Sequence, residues 1–176
     1  MNAGLKDCEV LRDPACIPEW ESGEHHKVPL YCSTKRSRAS KFCDVDILML
    51  KDEEIKVIIE IEESDTSPIR ICGKLLSSAL SLYHITSSND ERFGMGNPVM
   101  FIQIVDTSRL AKGSSKKEQW KNLEGSIKEL LQSMKTPIKR YRLIGGTTSE
   151  FDSGEGKKCE ELRGLVMKAI GQKPTH

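Results

Sequence analysis

The sequence lacks a long hydrophobic run, since no stretch approaches the roughly 18 apolar residues that a membrane-spanning helix requires. It also lacks an apolar segment near its start, where acidic residues stand instead, so we expect no secretion signal. Six cysteines without such a signal indicate reduced thiols in a cytoplasmic protein. The formal net charge of only +1 excludes a uniformly basic nucleic-acid binder.

What is present suits one folded domain, because 176 residues with 37% hydrophobic content suffice to bury a core. The charge is unevenly distributed along the chain. Residues 33–41 carry a net charge of +4 with no acid, residues 44–65 carry −7, and residues 106–176 carry +6. An acidic centre between two basic segments is therefore the main pattern to explain.

Hydrophobic periodicity predicts the following elements. Strands are expected at residues 28–32, 45–50, 55–61, 98–105 and 139–144, and helices at residues 69–84, 114–134 and 156–171. Residues 51–54 form the turn of an antiparallel hairpin, and Gly145, Gly146 and Gly154 belong to a polar loop. A short helix at residues 18–23 is also predicted.

This order of elements predicts an α/β fold, with a mixed sheet built around a central antiparallel hairpin and flanked by helices. We divide the single domain into three parts. Residues 1–27 form an irregular or helical N-terminal segment, residues 28–105 hold the core, and residues 106–176 form a C-terminal helix–strand–helix unit.

Three acids interrupt the apolar strands of the hairpin. Glu60 and Glu62 are two residues apart, so both point to the same face of a strand. The position of the turn places Asp46 opposite residues 59–60 on the neighbouring strand. Three converging carboxylates repel one another unless a cation neutralises them, and Mg²⁺ is the hard divalent ion that best fits such ligands. The alternative is that the two glutamates face solvent on an edge strand while Asp46 ends a turn.

An Asp, a hairpin turn and a Glu-x-Glu at the end of a β-branched strand, followed by a helix, resemble the core of the PD-(D/E)xK nuclease superfamily. The resemblance covers residues 28 to about 105. It implies a restriction-endonuclease-like core of helix, three-stranded meander, helix and strand. It also implies that Asp46 and Glu60 are metal ligands and that Mg²⁺, with Mn²⁺ as a substitute, is the cofactor.

The sequence departs from the motif at its lysine, which is replaced by Glu62. Some restriction enzymes of the superfamily carry Glu there, so Glu62 is retained as a catalytic residue and metal ligand. Lys74, in the following helix, could supply the missing ammonium group, or could be an ordinary solvated lysine. By the same resemblance, Glu21 or Glu24 could provide a further ligand.

A basic stretch directly precedes Asp46 and is predicted to grip the phosphates of DNA. It consists of Lys35, Arg36, Arg38 and Lys41. Read alone, it could equally be a solvated loop. Four cysteines within the first 43 residues leave room for a structural zinc ion, although their spacing does not match a zinc ribbon.

These patterns predict a Mg²⁺-dependent DNA endonuclease that hydrolyses phosphodiester bonds. Its predicted catalytic residues are Asp46, Glu60, Glu62 and Lys74. A homodimer suits cleavage of two strands. Two other interpretations stay open. One is a catalytically inactive nucleic-acid-binding or assembly module on the same scaffold, and the other is a binding protein of unrelated α/β fold with surface acids.

Overall fold

The computed structural model describes residues 7–17, 26–63, 66–152 and 156–172. Within these ranges the chain forms a mixed α/β fold, with an open eight-stranded sheet and four α-helices. In chain order the elements are β1 (Glu9–Arg12), β2 (Val28–Tyr31), β3 (Lys41–Val45), β4 (Ile47–Lys51), β5 (Glu54–Glu62), α1 (Pro68–Ala79), β6 (Tyr83–Ile85), β7 (Arg92–Asp106), α2 (Lys116–Ser133), β8 (Ile138–Gly146), α3 (Thr148–Asp152) and α4 (Lys157–Ala169). No described helix is long and apolar enough to cross a membrane.

The sheet combines both kinds of strand pairing. Its order is β1-β4-β5-β7-β6-β2-β3, and β8 also pairs with β7. Strands β4 and β5 are antiparallel, whereas β7 runs parallel to β5 and to β8. The fifteen residues of β7 allow its first part to pair with β6 and its second part to pair with β8. The predicted mixed sheet with a central antiparallel hairpin is thus confirmed.

The hairpin turns at Asp52 and Glu53, whose φ angles of 54° and 60° suit a two-residue connection. The strand predicted at residues 45–50 is divided in two, however. Val45 pairs with β2 and ends β3, whereas Ile47 pairs with β5 and begins β4. Asp46 therefore lies at the junction between β3, which pairs with β2, and β4, which pairs with β5.

Apolar residues cover both faces of the sheet. One core contains residues of α1 and α2, including Ile71, Leu75 and Trp120, packed against Ile58 of β5. The other contains residues of α4, such as Val166, packed against the alternate positions of the same strands. Because side chains alternate along a strand, β5 contributes to both cores.

The strand predicted at residues 28–32 is β2, which pairs with β3 and β6. The N-terminal half differs from the prediction in two respects. The segment predicted as irregular or helical contains β1, which pairs with β4. The helix predicted over residues 69–84 ends at Ala79, because Tyr83 and His84 pair with β2 and β7 in β6.

The C-terminal half follows the prediction more closely. The helix predicted at residues 114–134 is α2, the strand at 139–144 is β8, and the helix at 156–171 is α4. Gly145 and Gly146 do not form a loop, because they pair with β7 as the last residues of β8. The short helix α3 has no counterpart in the prediction. Gly154 and the helix predicted at residues 18–23 lie outside the described residues.

Candidate active site

Three carboxylates and one ammonium group meet where the hairpin packs against α1. Lys74 Nζ lies 2.7 Å from Glu60 Oε2, 2.9 Å from Glu62 Oε1 and 3.8 Å from Asp46 Oδ2. We call Asp46, Glu60 and Glu62 the carboxylate cluster. The structure thus brings together the four residues that the sequence predicted as catalytic.

The alternation of β5 sets the positions of the two glutamates. Ile58 lies in the core beneath α1, so Glu60 and Glu62, at the next two alternate positions, face the same helix. Both are buried, with side chains only 1% and 3% exposed. The predicted alternative of two solvent-facing glutamates on an edge strand is therefore wrong.

Helix α1 presents Lys74 to the cluster. The helix begins at Pro68, which needs no N–H donor in the first turn, after Ser67, whose side chain accepts the N–H of Arg70 at 3.4 Å. Ile71 and Leu75 lie on its buried face. Lys74 falls between these two positions, and its side chain is 25% exposed, so the stem reaches from the helix surface down to the sheet.

Backbone contacts fix Asp46 at the junction between β3 and β4. Its Oδ2 accepts the N–H of Ile61 at 2.6 Å, and its carbonyl oxygen accepts the N–H of Asp13 at 2.8 Å. The short 3₁₀ turn after Asp13 brings Cys16 close to the cluster. Burial, together with the charges of Asp46, Asp13 and Glu60, raises the pKa of Cys16 to about 11. The segment after β1 therefore lies against Asp46 through the backbone of Asp13.

The charges in the site depend on one another. Burial raises the pKa of Glu60 to about 8, although the hydrogen bond and charge of Lys74 oppose this shift. Burial alone would lower the pKa of Lys74, but its hydrogen bonds to Glu60 and Glu62 and the nearby charges raise it above its ordinary value. Lys74 therefore stays protonated, while the cluster as a whole favours additional positive charge.

Two buried oxygens of the cluster, Glu60 Oε1 and Glu62 Oε1, make no hydrogen bond among the described residues. Glu62, by contrast, contacts a cation with each oxygen, because Arg70 Nε lies 2.9 Å from Oε2 and Lys74 Nζ lies 2.9 Å from Oε1. Since a buried acceptor without a donor is costly, Glu60 Oε1 is an open position for a ligand or cation.

Sequence reasoning missed Gln103, which lies beside Glu60 in the parallel register of β5 and β7. Its Nε2 donates to the backbone carbonyl of Ile71 in α1 at 3.2 Å, and its Oε1 accepts from Tyr141 Oη at 2.8 Å. Gln103 is fully buried and thereby attaches α1 to the sheet next to the cluster. The available signal was a single amide within an otherwise apolar strand. Arg70 was also missed, since the exposed first turn of a helix gave no reason to select it.

The predicted phosphate-binding residues lie in the loop between β2 and β3 and at the start of β3. They are Lys35, Arg36, Arg38 and Lys41. All four are exposed, but two are paired with acids: Arg36 Nε lies 2.9 Å from Asp90 Oδ1, and Lys41 Nζ lies 2.7 Å from Asp44. Among the described residues, Lys35 and Arg38 have no such partner. Strand β3 then leads directly to Asp46.

The metal prediction can be compared with the donor chemistry of the site. The described ranges contain no group of three or more His, Cys, Asp or Glu side chains placed to hold a metal ion. Instead, an ammonium lies among the carboxylates. The residues nevertheless fit a hard divalent cation, because their carboxylates offer only oxygen donors, both glutamates are buried, and Glu60 Oε1 has no hydrogen-bond partner within the described ranges.

Two further predictions of metal ligands gain no support from the described residues. Cys8, Cys16, Cys32 and Cys43 are all free, and in the part of the chain that the structure describes they are not assembled as a zinc site. Glu21 and Glu24, considered as additional ligands, lie outside the described residues.

Comparison of the chain with protein-family models, with curated proteins and with solved structures finds no match.

Proposed function

We propose that the chain is a Mg²⁺-dependent DNA endonuclease of the PD-(D/E)xK type. The observation that carries the proposal is the contact of Lys74 Nζ with Glu60 and Glu62, 2.7 and 2.9 Å away, beside Asp46. Lys74 could thus supply, from the following helix, the ammonium group that the motif lysine supplies in the superfamily.

The topology around the cluster supports the same proposal. The hairpin β4–β5 is followed by α1 and, after the short strand β6, by β7, which lies parallel and next to β5. The superfamily core has this order of meander, helix and strand. The strand that flanks the hairpin is β1, so β2 and β3 would be an insertion within the meander.

The cluster has the chemistry that phosphodiester hydrolysis needs. Asp46, Glu60 and Glu62 would hold Mg²⁺, or Mn²⁺ in its place; when bound, the ion polarises phosphoryl oxygens and lowers the pKa of a bound water. A water oxygen attacks phosphorus, the bond to the leaving oxygen breaks, and a proton passes to that oxygen. Glu62 would orient the attacking water or accept its proton, and Lys74 would donate hydrogen bonds to the charged phosphate.

The surrounding charges support a polyanionic substrate. Lys35 and Arg38 are exposed in the loop before β3, where each could contact a DNA phosphate. Each strand of duplex DNA needs its own cut, so two copies of the chain related by a two-fold axis suit this substrate. The mass in solution, measured by light scattering with and without DNA, tests the homodimer.

The decisive experiment is an assay on supercoiled, linear and branched DNA with and without Mg²⁺. We expect cleavage only with the metal, and a loss of at least about a thousandfold for Asp46→Ala or Glu60→Ala, since both remove a ligand of the ion. Circular dichroism and thermal unfolding check that the variants fold. Glu161→Ala, a glutamate paired outside the cluster, is the matched control and keeps wild-type cleavage. Wild-type rates in both cluster variants would contradict the proposal.

The second candidate function is a nucleic-acid-binding module without catalytic activity. It is favoured by the Glu at the position of the motif lysine and by the ion pairs that already engage Lys74. Salt-sensitive DNA binding with no cleavage in either metal would support this candidate in place of the nuclease.

A further inference from the structure

The ammonium group of Lys74 is placed where a cation bound to the cluster would be. It contacts Glu60 Oε2 and Glu62 Oε1 at hydrogen-bonding distance, and Asp46 Oδ2 lies 3.8 Å away. The two glutamates are almost completely buried and therefore have no solvent to turn towards. A divalent ion bound to Glu60, through the open Oε1 or through Oε2, would therefore lie within a few ångströms of the ammonium group of Lys74.

We infer that Lys74 is an internal competitor for the divalent-cation site, so that the ammonium group and the metal ion bind Glu60 and Glu62 in alternation. This inference rests on the proposed function for the identity of the metal. It goes further by assigning two positions to one lysine: in the cluster when the metal is absent, and outside it when the metal is bound.

Electrostatics makes the two occupants exclusive. Divalent ions bind carboxylate oxygens at about 2.0 to 2.6 Å, closer than the ammonium nitrogen of Lys74 lies. A doubly charged ion a few ångströms from an ammonium repels it strongly in a poorly solvated site. Lys74 is a quarter exposed and has a flexible four-carbon stem, so its charged end can reach solvent without movement of α1.

The exchange has a functional consequence for the order of binding. Once it leaves Glu60 and Glu62, the ammonium group is free to contact a phosphate of the substrate. In the metal-free protein the same group is held by the cluster and its charge is neutralised. The metal would thereby both complete the site and release the lysine that binds the substrate.

The first test measures Mn²⁺ binding by titration calorimetry, without DNA, in the wild type and in Lys74→Met. Methionine keeps an unbranched side chain one atom shorter and removes the competing charge, so we expect Mn²⁺ to bind at least about tenfold more tightly. The matched control is Lys128→Met, which removes a helix lysine 2.6 Å from Glu124 outside the cluster and should leave Mn²⁺ affinity unchanged. Equal or weaker binding by Lys74→Met would overturn the inference.

A second measurement uses the wild-type chain, so that it does not depend on whether a variant folds. Lysine acylation followed by peptide mass spectrometry reports how accessible each Nζ is. We expect the modification rate of Lys74 to rise severalfold when saturating Mg²⁺ is added, while that of Lys128 does not change. A rate at Lys74 that stays constant or falls in saturating metal would overturn the inference.

The two proposals fail in different ways. If wild type and Lys74→Met bind Mn²⁺ equally and the wild type cuts DNA, the competition is wrong and the nuclease stands. If removal of Lys74 tightens binding but no DNA is cut, the competition stands and the nuclease fails. If neither protein binds the metal, both proposals fail.

Discussion

Two charged clusters lie on this protein, and they differ in how completely their charges are paired. In the first, Lys74 is shared among the carboxylates of Asp46, Glu60 and Glu62, with Arg70 at one edge. In the second, which we call the Arg142 network, three cations surround two glutamates. Its members are Glu124, Lys128, Arg142, Lys158 and Glu161.

Burial and balance separate the two clusters. The carboxylate cluster has an excess of acids, its glutamates are buried, and Glu60 Oε1 receives no hydrogen bond from any residue that the structure describes. The Arg142 network has an excess of bases and lies nearer the surface, where Arg142 is 38% and Glu161 is 26% exposed. The ion pairs of the network connect α2, β8 and α4, as ion pairs with a structural role commonly do. The carboxylate cluster has an excess of buried acid, and this is why we propose that the function lies there.

The largest expected difference is in stability. Lys74→Met leaves buried carboxylates without their shared cation and should lower the free energy of unfolding of the metal-free protein by about 3 kcal/mol. Lys128→Met removes a half-exposed partner of the Arg142 network and should cost less than about 1 kcal/mol. Urea unfolding at pH 7 in a chelator measures both values. Equal losses in the two variants would remove the distinction between the clusters.

The two clusters should also respond to pH with opposite signs. The pKa of Glu60 rises from its ordinary 4.5 to about 8 in the folded chain, so the folded state holds more protons than the unfolded state between these values. The stability that Glu60 contributes is therefore complete below about pH 4.5 and is lost as the pH rises through about 8. Melting temperatures of the wild type should fall over this range relative to those of Glu60→Gln.

Glu161 provides the contrasting case. Burial alone would raise its pKa, but the hydrogen bond and charge of Arg142, with the charge of Lys158, lower it below the ordinary 4.5. Its contribution is therefore present above about pH 4.5 and is lost as the pH falls through the depressed value. Glu161→Gln should lose less stability than the wild type below about pH 4.5. Between pH 5 and pH 8 its melting temperature should depend on pH as that of the wild type does. If the melting temperatures of Glu60→Gln and Glu161→Gln depended on pH in the same way, the opposite pKa shifts of Glu60 and Glu161 would be contradicted.

The smallest effect is expected within the Arg142 network. Arg142→Lys keeps the charge but loses the fork that contacts Glu124 and Glu161 together, and should cost about 1 kcal/mol or less. Because these groups are partly solvated, 0.5 M NaCl should reduce the difference between variant and wild type, whereas the loss in Lys74→Met should persist. Unfolding curves at two salt concentrations check this. A salt-independent Arg142→Lys difference would show that the network is less solvated than its exposure indicates.

Much of the carboxylate cluster could be predicted from the sequence because its geometry is local. The spacing of Glu60 and Glu62 fixes their common face in any strand, and the hairpin turn fixes the position of Asp46 relative to them. The resemblance, which lacks its motif lysine here, made Lys74 in the following helix a candidate, but only the packing of α1 on the sheet decided that its ammonium reaches the cluster.

What could not be predicted depends on pairing between distant segments. Strand β1 is short and half-buried, and its four residues become a strand only because the edge of β4 is available to them. The helix after Ser67 ends early because β2 and β7 recruit Tyr83 and His84. Gln103 has a role only because its amide bonds the carbonyl of Ile71 and the hydroxyl of Tyr141, and both residues are distant from it in the sequence.

The position of Asp46 limits which changes in length the chain can tolerate. Asp46 occupies the one residue between strands that pair with different partners, and its carboxylate is aligned by the backbone of β5. One residue inserted into β3 or β4 would displace this alignment or turn the side chains of β4 to the opposite face. The loop at residues 33–40 carries no such restriction. Relatives of this protein should therefore vary in length before Lys41 and keep a constant length from there to Glu62.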